Sequence, residues 1–249
     1  MAKKSKRGTR HIEAPMEVFE LPKTKRKSWS LHDLKSIRAL TENQAVAIDF
    51  YHKNLNLGLF GCAGTGKTLM AVNLALQSIL HPDCPQDKLV IIRSAVQSRD
   101  QGFMPGNLEE KMKEYETPLH GVFEFLLGRP SSYSDMKEAG LVEFTSTSFL
   151  RSLTIDNAII VFDECQNALF RELDTVITRA GKNTKVIFVG DSGQDDLTGM
   201  KNQVSGLPQA IRVLKSMSSI FGVVEFTTDD IVRSELAKAW IKACHALAA

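Results

Sequence analysis

The chain has 249 residues, 43% of them hydrophobic and 24% charged, with 31 Lys and Arg against 29 Asp and Glu. That length and balance are ordinary for a soluble globular protein built around one substantial domain. No apolar run approaches the roughly 18–20 residues of a membrane span, no apolar core near the start predicts a secretory signal, and four scattered cysteines form neither a disulfide frame nor a zinc pattern.

The net charge of +2 hides an asymmetry. Residues 1–27 carry nine Lys and Arg, in "KKSKR" and "KTKRK" above all, against Glu13, Glu17 and Glu20, so this stretch is +6 and the rest of the chain is −4. Such an arm either grips phosphates through counterion release or serves as a solvated tail. From Trp29 the pattern becomes apolar-periodic, which predicts a basic flexible leader over 1–28 and a folded domain over 29–249. A helix is expected over Glu42–His52, with Thr41 and Gln44 as its capping box. "LNLGLF" (55–60) reads as a strand, and "KTLMAVNLALQSIL" (67–80) as a helix stopped by Pro82. "KLVIIR" (88–93) reads as a buried strand, followed by a polar connection with a helix from about Leu108. "AIIVF" (158–162) and "KVIFVG" (185–190) are branched runs typical of strands covered on both faces, with a helix over 166–180 between them. "GVVEF" (222–226) and a last helix from Asp230 close the chain. Strands alternating with helices predict a parallel sheet in one α/β domain.

"GCAGTGKT" sits between the first strand and its helix, with Gly61, four residues, then Gly66, Lys67 and Thr68. This spacing is the phosphate-binding loop, whose glycines let successive backbone N–H groups point at phosphate oxygens at a helix N-terminus. The nucleotide-binding residues expected from it are Gly61, Cys62, Ala63, Gly64, Thr65, Gly66, Lys67, Thr68 and Leu69. Lys67 would reach the β- and γ-phosphates, and Thr68 would ligate Mg²⁺. "VFDECQN" (161–167) ends a strand downstream in two adjacent acids. Asp163 would complete the Mg²⁺ shell, through water because Mg²⁺ dehydrates reluctantly, and Glu164 would polarise the attacking water. In "VIFVGDSGQDDL" a third strand ends in Asp191, and Gln194 is either a γ-phosphate sensor or part of a polar loop. Arg233, expected in a first helical turn, is either an arginine finger or a surface partner of Asp229 or Asp230.

With these motifs in order, residues 40–245 resemble the PhoH family of RecA-like ATPases, related to the first domain of superfamily 1 helicases. The match runs through "GCAGTGKT", "GFMPGNLEEK", "VFDECQN", "TRAGKNTKVIFVGDSGQDDL", "SGL" (205–207) and "DIVRS". The resemblance implies a single RecA-like P-loop NTPase domain with a mostly parallel sheet flanked by helices, using ATP and Mg²⁺. It assigns Gln194 and Arg233 to γ-phosphate and arginine-finger positions, and makes Gln44 an adenine reader in the manner of a helicase Q-motif. It further implies RNA association, with helicase activity proposed. Single-module chains of this length resemble those of bacteriophages, which places the protein in the cytoplasm of a bacterium or a phage-infected host. Two departures stand out. Arg93-Ser94 replaces the family's Arg-Pro, and "RSLTI" (151–155) has Leu153 where relatives carry an arginine.

One module leaves an ATP face open, so a homo-oligomer is expected, a hexamer foremost, with Arg233 acting in cis or completing a neighbour's site. Single-stranded RNA or DNA is the expected partner, RNA favoured, through Arg93, Ser94, the 96–111 connection and the leader. Phe103 would stack on a base or plug its loop. Two alternatives stay open. A P-loop kinase would lack a glutamate poised over water. An RNA-binding regulatory module would use ATP as a conformational switch without unwinding.

Overall fold

In a computed structural model of the chain, residues 29–94, 108–191 and 204–248 are described. Among them six strands form one wholly parallel sheet. They are β1 (Asn56–Gly61), β2 (Lys88–Arg93), β3 (Val142–Ser146), β4 (Ala158–Phe162), β5 (Lys185–Gly190) and β6 (Phe221–Phe226), in the spatial order β3-β2-β4-β5-β1-β6. Around it lie α1 (Glu42–His52), α2 (Lys67–Ile79), α3 (Leu108–Leu127), α4 (Ser132–Glu138), α5 (Phe170–Arg179), α6 (Leu207–Ser216) and α7 (Glu235–Ala248).

The branched runs make this sheet because both of its faces are covered. Alternate residues of each inner strand divide between two cores. Leu57, Leu59, Leu89, Ile91, Ile159, Val161, Ile187 and Val189 pack with α1, α2, α3 and α4. Val90, Ile92, Ile160, Phe162, Val186 and Phe188 pack with α5 and α6. Each such side chain contributes about 1.5–3 kcal/mol when fully buried, and all of β4 is fully buried.

Most predicted elements appear within a residue of their expected bounds. Three were not expected, α4, β3 and α6. The helix anticipated over 166–180 is a short 3-10 turn at Cys165–Asn167 followed by α5. The final helix begins at Glu235 rather than Asp230. Thr227 caps a 3-10 turn over Thr228–Asp230, and the Asp230 carboxylate accepts from the Thr227 N–H (2.9 Å) and from Asn43 (2.8 Å). The chain therefore leaves that turn as an irregular link, and Arg233 lies in the link and not in a helical turn.

Candidate nucleotide site

β1 delivers the chain into the loop at Gly61, whose φ is +111°. A Cβ there would meet the Phe226 carbonyl oxygen at 2.1 Å, and that same carbonyl accepts the Cys62 N–H at 3.1 Å. Gly64 (φ +77°) and Gly66 (φ +81°) are also left-handed, Gly66 as the N-cap of α2. Replacing Gly61 with alanine is expected to remove nucleotide binding, since it combines a left-handed strain of about 1–3 kcal/mol with a backbone clash. Titration with a nucleotide beside a melting curve checks this.

The loop is braced from inside. Thr65 Oγ1 donates to the Cys62 carbonyl at 3.0 Å, and Lys67 Nζ donates to the carbonyls of Gly61 (2.6 Å) and Cys62 (2.7 Å). Lys67 is buried, which pulls its pKa down, while the Asp191 charge opposes that shift. Cys62 is buried too, and its thiol is pushed up, so it behaves as filler. Ala63 and Leu69 line the same cavity, about 330 Å³ in volume, with Thr68, Asp163, Glu164, Asp191 and Arg233.

Register brings the acids to this cavity. Phe162 is paired with Ile92, so Asp163 and Arg93 leave neighbouring strands side by side. Asp163 is 1% exposed and fully engaged. Its Oδ1 accepts from Thr68 Oγ1 at 2.9 Å, and its Oδ2 accepts from Arg93 Nη2 at 2.6 Å and Nε at 3.2 Å. The third arm of the guanidinium, Nη1, donates to the Tyr115 carbonyl of α3 at 3.0 Å. Arg93 was expected to face a nucleic acid, and Ser94 likewise. Both turn inward instead, Ser94 donating to Glu172 at 3.1 Å. Parity held the signal, because Arg93 follows Leu89 and Ile91 on the face that packs against α2.

Glu164 occupies a left-handed conformation (φ +54°), a strain that points its side chain into the cavity mouth. The residue reaches solvent, yet its carboxyl is crowded by protein; burial pushes its pKa up and the Asp163 charge adds to the shift. Gln166, absent from the expected site, holds it. The Gln166 amide donates to Glu164 Oε2 at 2.6 Å and accepts the Asp191 N–H at 3.0 Å, and Ser205 bonds its carbonyl at 2.7 Å. The motif "DECQN" contained this residue without revealing its direction.

Gln44 sits behind the loop. Its Nε2 donates to the Thr65 carbonyl (2.9 Å) and its Oε1 accepts the Leu40 N–H (2.7 Å), so it braces the loop. The link after β6 also hangs on the loop, with the Val232 N–H bonding the Gly64 carbonyl at 3.0 Å. This sets Arg233 Cγ 3.0 Å from where a Gly64 Cβ would stand. The alternative partners of Arg233 are taken, Asp229 by Lys242 (2.7 Å) and Asp230 by Thr227 and Asn43. Gln194, Phe103 and the leader lie outside the described residues, as does 95–107 of the connection expected to touch nucleic acid.

A hydroxyl and a carboxylate converging beside a glycine-lined anion cradle match the hard oxygen ligands that Mg²⁺ prefers. The cradle itself, three left-handed glycines at a helix N-terminus, matches a polyphosphate.

A family model described as PhoH-like protein matches residues 36–245. The PhoH-like protein of Synechocystis sp. is 34% identical over 209 residues, covering 83% of this chain and 62% of that one. The PhoH-like protein of Mycobacterium tuberculosis is 32% identical over 232 residues, 93% and 62% of the two chains. Protein PhoH of Escherichia coli is 33% identical over 185 residues, 74% and 51%. The chain thus spans between half and two thirds of the length of these curated relatives. A solved structure of Pif1 helicases at forked DNA overlaps with a TM-score of 0.34 at 15% identity, covering 76% of this chain and 43% of that one, too loosely to bear on function. A P-loop braced on a parallel sheet, with its paired acids at the end of β4, across β5 from the loop's own strand, lies wholly inside the matched span, and the chain belongs to the PhoH-like protein family.

Proposed function

We propose that this chain is a Mg²⁺-dependent ATPase coupled to single-stranded nucleic acid, RNA ahead of DNA. The observation that carries the hydrolytic part is Glu164, strained and fixed by Gln166 beside the Asp163 carboxylate. A module that only bound nucleotide would need Asp163 but no second acid held at the cavity mouth. In this reading the loop N–H groups and Lys67 hold the phosphates, and Thr68 with Asp163 orients the metal ligands. Glu164 accepts a proton from the attacking water, and Gln194 and Arg233 face the γ-phosphate. Mg²⁺, when bound, supplies the charge that the phosphates require. Gln44 serves the loop rather than the adenine.

The basic leader (1–28) supplies phosphate contacts to an ATPase module beginning at residue 29, and the protein works in the cytoplasm of a bacterium or phage-infected host. Remodelling or unwinding of RNA would follow from the coupling, and a nucleotide-gated RNA-binding switch is the alternative outcome. The test is ATP turnover by the pure protein with and without single-stranded RNA or DNA. Stimulation by one polymer supports the reading and names the polymer. Turnover indifferent to both would remove the nucleic-acid part and leave the ATPase.

Self-association, as a hexamer or another ring, has support from α7. Leu236, Trp240 and Leu247 are 81%, 71% and 89% exposed, and they fall within about 40° of one another round a helix of 3.6 residues per turn. An apolar stripe of this kind beside Arg233 suits a second copy of the chain. Trp240→Asp is expected to shift sedimentation from an oligomer to the monomer mass. A wild-type protein that is itself monomeric would end this part of the reading.

A further inference from the structure

A second cavity opens behind the P-loop. It has a volume of about 220 Å³ and is bounded by Ile37, Ile48, Leu69, Met70, Phe125 and Val232, with Gln44 and Arg38 at its edge. Gly66 and Leu69 belong to both cavities, so the apolar space continues from the phosphate cradle. A nucleotide has the same division, a polyanion at one end and a flat heterocycle at the other. Ligand sites usually run to roughly 300–1,000 Å³; the second cavity alone falls short of that range, and as an extension of the first it falls within it.

The groups around the second cavity differ from those of a base-reading site. Discrimination between bases needs a donor and an acceptor aligned on the base edge. Gln44 is the amide nearest to hand, but both of its ends are held by backbone, and the residue is 7% exposed. Reading a base edge would take it from the Thr65 carbonyl, and the loop would lose its brace. What remains among the described residues suits any base. Phe125 is half exposed and carries the Lys35 ammonium 3.9 Å from its ring centroid, and Arg38 is exposed at the rim. Aromatic and guanidinium planes stack on every base.

We infer that this apolar cavity is the base subsite and that it takes purine and pyrimidine nucleotides with little discrimination, Gln44 being committed to the P-loop. The inference rests on the nucleotide reading of the P-loop given above. An apolar pocket distinguishes related ligands by about 10–200-fold, whereas a site built to hydrogen-bond one of them reaches about 10⁴–10⁵.

The test is competition against a fluorescent ADP analogue, with Mg²⁺ present, by ADP, GDP, CDP, UDP and pyrophosphate. It uses the full chain and two variants, Gln44→Ala and Phe125→Ala. The expected result is four nucleotides within about 30-fold of one another, purines first, and all tighter than pyrophosphate. Gln44→Ala should weaken all four by a similar factor, and Phe125→Ala should weaken them while sparing pyrophosphate. A preference for ADP above about 1,000-fold, or a Gln44→Ala loss confined to ADP, would overturn the inference. Pyrophosphate competing as well as the nucleotides would remove the base subsite and leave the phosphate site standing. Failure of the analogue and of every competitor to bind would strike the P-loop reading itself, and the subsite with it.

Discussion

Glu164→Gln is expected to bind nucleotide about as well as the native protein and to turn it over about 10²–10⁴-fold more slowly, the range for loss of a positioned general base. The substitution is well matched to the site. Gln166 Nε2 donates to Glu164 Oε2 at 2.6 Å, and a glutamine carbonyl accepts the same bond. The Asp191 N–H stays on Gln166, so the geometry between β4 and β5 is kept while the capacity to take a proton is lost. Affinity for a fluorescent nucleotide measured beside single-turnover hydrolysis separates the two effects. Turnover within tenfold of the native rate would end the role of Glu164 as base. Gln166→Ala should lower turnover less, with partial recovery in Gln166→Asn, because it acts by holding Glu164 in place.

Arg93→Gln is expected to lower the melting temperature of the metal-free protein far more than that of the protein with Mg²⁺ and ADP. The Asp163 carboxylate is 1% exposed, and Arg93, with a side chain 14% exposed, is its cation at 2.6 Å. Removing one member of a buried pair costs about 3–5 kcal/mol, because the other charge is left without compensation. For a chain of this size that corresponds to a fall on the order of 10 °C. A divalent cation beside Thr68 and Asp163 supplies the missing charge, so its addition should recover much of the loss. Melting curves in chelator and in Mg²⁺ with ADP check this, and an equal fall in both conditions would show that Arg93 acts through its hydrogen bond to the Tyr115 carbonyl rather than through the Asp163 charge.

The P-loop was legible because everything that makes it is local: a branched strand, glycines at fixed spacing, Lys67 and Thr68, then a helical repeat. Asp163 and Glu164 were legible as acids ending a fully buried run. Direction was harder. Arg93 looked like a surface contact because its partner, Asp163, is 70 residues away. Gln44 matched a base-reading position. The capping box predicted with Thr41 has its side chain reaching back to the helix start, at the Leu40 N–H, but nothing near it in sequence announces Thr65 as its other partner. Arg233 was placed in a helix because the periodicity of "DIVRSELAKAW" extends back past the cap, and only the Asp230 bonds to Thr227 and Asn43 interrupt it. β3 escaped notice because an edge strand with Glu143 exposed lacks the continuous apolar run that marks the inner strands.

The strand order also governs how this protein can be made. β1 carries the P-loop, yet its two neighbours are β5, which begins at Lys185, and β6, which ends at Phe226. A growing chain therefore holds the glycine loop well before it can seat it, which must wait until β5 and β6 have emerged. Closing loops of that length slows folding. The earlier strands β2, β3 and β4 pair among themselves and have a platform to form first. Chains arrested before Phe226 should hold that platform without a nucleotide site, since the Phe226 carbonyl that receives Cys62 does not yet exist. Phosphate binding is thus a property the chain acquires only once β6 has emerged, and it reports that the sheet has closed.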